Sequence, residues 1–166
     1  MLKNLECGIY AITPTYIYKN ELLEAVERTI QSKIKLIQYR FENAVSFEER
    51  YETAMKMQSI CNENSATLVI NNDHRIADLI GCGLHIGQDI TNTSFLNEFK
   101  NISFIGLSCK NKPEIQERKD ANIFSYYSFG PLFESKTKEN LTGLIDIFGV
   151  SNKMNKKKLN FAIGGI

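Results

Sequence analysis

The chain has 166 residues, 43% hydrophobic and 23% charged, the make-up of one globular domain with a sizeable core. Its 20 basic residues nearly balance 19 acidic ones, leaving a net charge of +1, so no broad field draws it to nucleic acid or to a membrane surface. No apolar run approaches the roughly 20 residues of a membrane span or forms a signal peptide, and the expectation is a cytoplasmic protein.

In chain order, seven short β-rich runs alternate with helical segments: "GIYAIT", "KLIQYR", "ATLVIN", "GLHIG", "SFIGLS", "YYSFG" and "NFAIG". The first helix is marked by Leu22, Leu23, Val26 and Ile30, the second by Phe47, Tyr51, Ala54 and Gln58. Ser46 with Glu49 three residues on makes a capping box for the second helix, and Gly81 and Gly83 bracket a turn after the third. Asn111 followed by Pro113 opens a further helix. The lysine run from Lys153 to Lys158 reads as a solvated face, and core packing accounts for at least one of Tyr126 and Tyr127. Cys7, Cys61, Cys82 and Cys109 stand far apart with no C-x-x-C pair, so they read as reduced thiols rather than a disulfide or zinc framework.

Apolar strands alternating with helices imply an α/β protein with a parallel sheet, either doubly wound or closed as a (β/α)8 TIM-type barrel. Polar residues recur at the carboxyl end of nearly every strand: Thr13, Gln38 and Arg40, Asn71, Gln88 and Asp89, Ser108, Lys138. A barrel explains this better, because its site is built from all its βα loops, whereas an open sheet gathers its ligand at one switch point. The expected organisation is a single barrel domain over residues 1–166. Gly164 and Gly165, after the last strand, are then either half of a phosphate cradle or a plain tight turn.

Taken together, "GIYAITP", "IQYR", "VINN", "LHIGQD", "IGLS", "FGPLFESKTK" and "AIGGI" resemble, in order and across the whole chain, the thiamine phosphate synthase and TenI-type thiazole tautomerase family. The resemblance implies the (β/α)8 barrel and a transferase of thiamine biosynthesis. Such an enzyme joins a hydroxymethylpyrimidine diphosphate to a thiazole phosphate with release of pyrophosphate, through a pyrimidine cation captured by the thiazole nitrogen. That chemistry needs charge neutralised on the leaving group, for which the family uses Mg²⁺, Arg, Lys and backbone amides. Residue by residue, the resemblance gives catalytic roles to Arg40, Ser108 and Lys138. It gives substrate binding to Gln38, Asn71, Ser135, Thr137, Gly164 and Gly165. The partners it implies are small phosphorylated pyrimidine and thiazole substrates, with no nucleic acid or membrane, and it leaves self-association into a homo-oligomer open.

Three positions depart from the synthase pattern. Glu42 stands where the family carries a Lys two residues past the Arg, and Asn72 and Ile90 stand where it carries metal-binding Asp residues. Asp73 and Asp89 lie one position away, so the metal set is Asn72, Asp73 and Asp89 only if the loops shift. The tautomerase branch also lacks the metal pair, but it carries a His after the strand-six Gly where this chain, like the synthases, has Pro131. The alternatives are therefore a metal-free tautomerase or a non-catalytic homologue that binds thiazole or thiamine phosphate. The family continues past "GGI" with an eighth strand, so the barrel as it stands lacks that strand at its C-terminal end. His85 matches a family His and reads as a core imidazole, while His74 reads as a solvated side chain with proton transfer as the other option.

Overall fold

The computed structural model describes residues 8–15, 19–41, 44–87, 90, 92–109, 121–133 and 158–166. Seven strands lie among them: β1 (Tyr10–Ile12), β2 (Leu36–Tyr39), β3 (Thr67–Asn71), β4 (Gly83–Ile86), β5 (Phe104–Cys109), β6 (Phe124–Phe129) and β7 (Leu159–Ala162). Three α-helices, α1 (Lys19–Gln31), α2 (Phe47–Glu63) and α3 (His74–Ile80), connect the first four strands. The chain divides into two compact units, one holding β1 to β4 with the helices and the other β5 to β7.

In the first unit, β1 pairs with β2, β2 with β3 and β3 with β4, each in parallel. Parallel neighbours require a crossover, and α1 to α3 supply it. On α1 the apolar spacing is realised as a stripe of buried Leu22, Val26 and Ile30, with Leu23 half-buried beside it. Ser46 caps α2 as its sequence signature predicts, accepting from the Glu49 N–H at 3.1 Å.

The face that α2 buries differs from the expected one. Thr53, Ala54, Met57 and Cys61 are buried, while Phe47, Tyr51 and Gln58 are only half-buried. Small or flexible side chains let the helix close on the sheet, and the Thr53 hydroxyl is satisfied by the Glu49 carbonyl at 2.8 Å. The rings of Phe47 and Tyr51 instead stack on each other, 6.2 Å apart and nearly parallel. Gly81 ends α3 in the left-handed conformation, φ 75°, returning its N–H to Ala77 and Asp78.

Between β4 and β5 the described chain forms only a short 3₁₀ turn, Ser94–Glu98. It carries Phe95, and with Phe99 that ring packs against His74, at centroid separations of 4.8 and 4.7 Å. His74 is therefore a half-buried member of an aromatic cluster rather than a solvated side chain. No local pattern marks this, because the two phenylalanines lie 21 and 25 residues further along the chain.

In the second unit β5 pairs with β6 and β6 with β7, again in parallel. Both Tyr126 and Tyr127 are buried. Tyr126 lies where a Cβ on Gly106 would have to go, which is why β5 has glycine at that position. Lys158 does not belong to a solvated face: its ammonium donates to the Phe124 carbonyl at 2.6 Å and lies 5.5 Å from the centre of the Tyr127 ring. The rest of the lysine run and the helix expected at Asn111 and Pro113 lie outside the described residues. No helix among the described residues is long and apolar enough to cross a membrane.

Cys61, Cys82 and Cys109 are buried and form no disulfide among the described residues, as reduced core thiols would, and Cys7 lies outside the described residues. Burial pushes the Cys61 thiol up to about 11 and the Cys82 thiol up to about 12. Both stay protonated and unreactive near neutral pH.

Candidate functional site

The polar residues of the first unit collect on one face of its sheet. On β2, Gln38 and Tyr39 point to opposite sides because strand side chains alternate, Tyr39 toward Thr53 of α2, and Arg40 directly follows the strand. Gln38 is level with Val69, two residues before Asn71 on the same side of β3, and Asn71 is level with His85. Gln38, Asn71 and His85 thus lie along one face of three neighbouring strands, with Arg40 at the carboxyl end of the first.

Each has a different degree of commitment to the protein. Gln38 is almost fully buried, and its amide donates to the Tyr10 hydroxyl at 2.7 Å. The Tyr10 ring meets His85 edge-on at 6.4 Å, and His85 is buried as its core reading requires. Arg40 is held by its backbone. The Thr13 hydroxyl accepts from the Arg40 N–H at 2.9 Å and donates to the Arg40 carbonyl at 3.1 Å. The guanidinium has no acceptor among the described residues. A half-buried arginine, backbone-clamped with its planar fork uncommitted, is an anion-binding group.

The turn after β3 is fixed just as closely. Asn72 adopts a left-handed conformation, φ 59°, which Asn tolerates better than most residues, and its N–H donates to the His85 carbonyl at 2.8 Å. Asp73 caps α3: its Oδ1 accepts from the Ile76 N–H at 3.2 Å, and its Oδ2 lies 3.2 Å from Arg50 Nη1. Both carboxylate oxygens are in use. Ile90, where the family pattern has its second Asp, offers no side-chain ligand and donates its N–H to the Gly87 carbonyl at 3.3 Å.

A resident Mg²⁺ wants one or two carboxylates at the protein and draws its other ligands from water and phosphate. The described residues do not fit that demand. Asp73 is spent on a helix cap and an ion pair, Asn72 contributes only a neutral amide, and Asp89 lies outside the described residues. Among the described residues no group of three His, Cys, Asp or Glu side chains is placed to hold a metal ion.

In the second unit, Ser108 on β5 is level with Ser128 on β6, and Ser128 with Phe161 on β7. After β7 the chain turns through Gly164 and Gly165, both left-handed at φ 89° and 71°. What Gly164 approaches is the loop after β6: a Cβ there would come within 2.6 Å of Pro131 Cα. The Leu132 and Phe133 N–H groups donate to the Ile163 and Gly164 carbonyls at 3.0 and 3.1 Å, locking the two loops together. The Gly164 and Gly165 N–H groups have no acceptor among the described residues. Ser135, Thr137 and Lys138 lie outside the described residues.

Three side chains to which the sequence assigned no site role help to shape these sites: Tyr10 on Gln38, Thr13 under Arg40, and Arg50 on Asp73. Thr13 was visible as a strand-end polar residue. Arg50 carried no signal, since a lone arginine in the first turns of a helix reads as surface.

Parallel strands joined by helices, with polar residues at the strand ends, define an α/β protein of the TIM-type barrel class. The fold agrees with a solved thiamine phosphate pyrophosphorylase from Pyrococcus furiosus, at a TM-score of 0.74 and 20% identity, over 95% of this chain and 74% of that one. The family profile described as thiamine monophosphate synthase, TMP-TENI, matches residues 9–166, and the chain belongs to that family. It is 34% identical over 134 residues to a thiamine-phosphate synthase of Nitrosococcus oceani, across 79% of this chain and 61% of that protein. It is 30% identical over 165 residues to thiamine-phosphate synthase 1 of Streptococcus pneumoniae, across 96% of this chain and 76% of that protein.

Proposed function

We propose that the chain acts as a thiamine phosphate synthase, joining a hydroxymethylpyrimidine diphosphate to a thiazole phosphate with release of pyrophosphate. The observation that carries this reading is Arg40: clamped by Thr13 at the carboxyl end of β2, with no acceptor for its guanidinium among the described residues. In the reaction the bond between the pyrimidine methylene carbon and the diphosphate oxygen breaks, and its electron pair leaves with pyrophosphate. The thiazole nitrogen lone pair then forms the new C–N bond. Arg40 neutralises charge as it builds on the leaving oxygens, and Asn71 and Gln38 orient the diphosphate and pyrimidine.

The thiazole phosphate is assigned to the second unit's glycines. Two adjacent left-handed amides without acceptors suit a phosphate, and Lys138, Ser135 and Thr137 are proposed to complete that cradle. Ser108 is assigned to the reacting centre on family likeness. Lys138→Ala is then expected to weaken thiazole phosphate binding by about 1.5–3 kcal/mol, the worth of one charge-assisted hydrogen bond.

The specific observation favouring a second reading is the engaged carboxylate of Asp73, which suits a metal-free thiazole tautomerase. The two separate cleanly in one experiment. Purified protein is supplied with both phosphorylated substrates, with and without Mg²⁺, and pyrophosphate is measured alongside isomerisation of thiazole carboxylate phosphate. Pyrophosphate release that needs both substrates supports the synthase, and metal-independent isomerisation without pyrophosphate replaces it with the tautomerase.

A further inference from the structure

Arg50, in the first turns of α2, makes three contacts that tie together separate parts of the first unit. Its Nε donates to the Ser46 carbonyl at 3.3 Å, at the capped start of its own helix. Nη1 reaches Asp73 Oδ2 at 3.2 Å, and the guanidinium lies 4.7 Å from the centre of the Phe41 ring. Phe41 directly follows Arg40, and Asp73 follows Asn71 by two residues. Phe41 is itself supported by Tyr39, ring to ring at 5.2 Å and tilted at 61°.

This is a well-shielded arrangement. The Arg50 and Asp73 side chains keep only 19% and 12% of their exposure, so solvent screens the pair far less than a surface ion pair. An arginine suits it because one planar group can bond a carboxylate along its edge while its face lies on an aromatic ring. A second cation–ring contact joins the same two helix starts, with Arg75 of α3 lying 4.5 Å from the Phe47 ring centre of α2.

We propose that Arg50 is a positioning residue: through Phe41 and Asp73 it joins the segment after β2 to the segment after β3, and so sets where Arg40 and Asn71 stand. It touches no substrate itself. The pair also has a chemical consequence, since an Asp73 committed to Arg50 and to the α3 cap does not serve as a metal ligand. The kinetic part of the proposal rests on the synthase reading, and the conformational part does not.

The test uses the full chain with four variants: Arg50→Gln, Asp73→Asn, the double variant, and Arg50→Lys. Asn at position 73 still caps a helix, so Asp73→Asn removes the ion pair and leaves the cap. Each single variant is expected to raise KM for the pyrimidine diphosphate about tenfold, with kcat and KM for thiazole phosphate within about twofold of the parent. The double variant is expected to be no worse than the poorer single, because both remove one link. Arg50→Lys, which keeps the charge but loses the planar group that lies on Phe41, is expected to recover only part of the loss, and the Mg²⁺ concentration giving half-maximal rate is expected to stay put. Multiplying effects in the double variant, or a raised Mg²⁺ requirement in Asp73→Asn alone, would overturn the proposal.

Should the parent release no pyrophosphate, the synthase reading fails, and amide hydrogen exchange decides the positioning claim. Faster exchange at Arg40 and Asn72 in both single variants, no faster again in the double, supports it. Unchanged exchange at both amides overturns it.

Discussion

The loops after β2 and β3 and the loops after β6 and β7 hold their positions by different means. The first pair is held by side chains: Thr13 on the Arg40 backbone, Arg50 on Phe41 and Asp73, Asp73 on the Ile76 amide. The second pair is held by backbone, with Leu132 and Phe133 bonded to Ile163 and Gly164 and no Cβ allowed between them. Side-chain bracing lets a charged group such as Arg40 be aimed while its head stays uncommitted. Backbone interlocking instead presents amides and leaves room beside them for a compact anion. The proposed diphosphate and monophosphate sites follow that division.

The largest expected effect breaks the backbone-held region. Gly164→Val forces a branched residue into a left-handed conformation, at about 1–2 kcal/mol, and drives its Cβ into Pro131, at about 1–3 kcal/mol more. The denaturant midpoint is expected to fall accordingly, and thiazole phosphate binding to fall with it. A variant as stable as the parent would show that the contact with Pro131 does not constrain the loop.

Arg40→Ala strikes the side-chain-held region and is expected to act oppositely. Stability should change little, because the Thr13 clamp is on the backbone. Binding of inorganic pyrophosphate, measured by calorimetry, should weaken by about 1.5–3 kcal/mol. Thr13→Val sharpens the same point with a smaller effect. It strips the hydrogen bonds from the Arg40 backbone, so stability and pyrophosphate binding should each fall, by about 1–2 kcal/mol at most.

Alkaline pH separates the regions by sign. The buried Cys61 and Cys82 thiols in the first unit have pKa values raised to about 11 and about 12 from an ordinary 9.0, so the folded state keeps protons the unfolded chain has released. Their contribution is complete below pH 9 and is lost as pH rises from 9 toward those values, at about 1 kcal/mol per pH unit for each thiol. Lys158 in the second unit is shifted down by desolvation, so it favours folding more as pH rises toward 10.5. Urea midpoints between pH 8 and 11 should therefore fall for the parent, fall less for Cys61→Ala, and fall more for Lys158→Met.

The strand order and the polar strand ends could be read from the chain because each is local: an apolar run, then one Gln, Arg, Asn or Ser. The Ser46 cap and the Gly81 terminus were legible for the same reason. The contacts that complete the site were not, since they join residues far apart in sequence. Nothing local in "FEERYETAMKMQ" shows that Arg50 will leave the surface for Asp73, or that the helix will bury Met57 and Cys61 rather than Phe47 and Tyr51. Asp73 was chosen as a possible metal ligand from its place beside a family Asp, and its chemistry turned out to depend on an arginine 23 residues earlier. The glycines were legible as a cradle or a tight turn, and only the fold could name Pro131 as what Gly164 approaches.

In the proposed reaction a backbone-clamped Arg40, its guanidinium without an acceptor among the described residues, takes the charge of a departing pyrophosphate. The most direct measurement is the rate of pyrophosphate release from hydroxymethylpyrimidine diphosphate in the presence of thiazole phosphate, for the parent and for Arg40→Ala at equal folded concentration. Release is expected to require both substrates and to drop at least about tenfold in the variant, matching the loss of one charge-assisted interaction. Release that is absent from the parent, or that proceeds equally fast in the variant, would contradict that proposal.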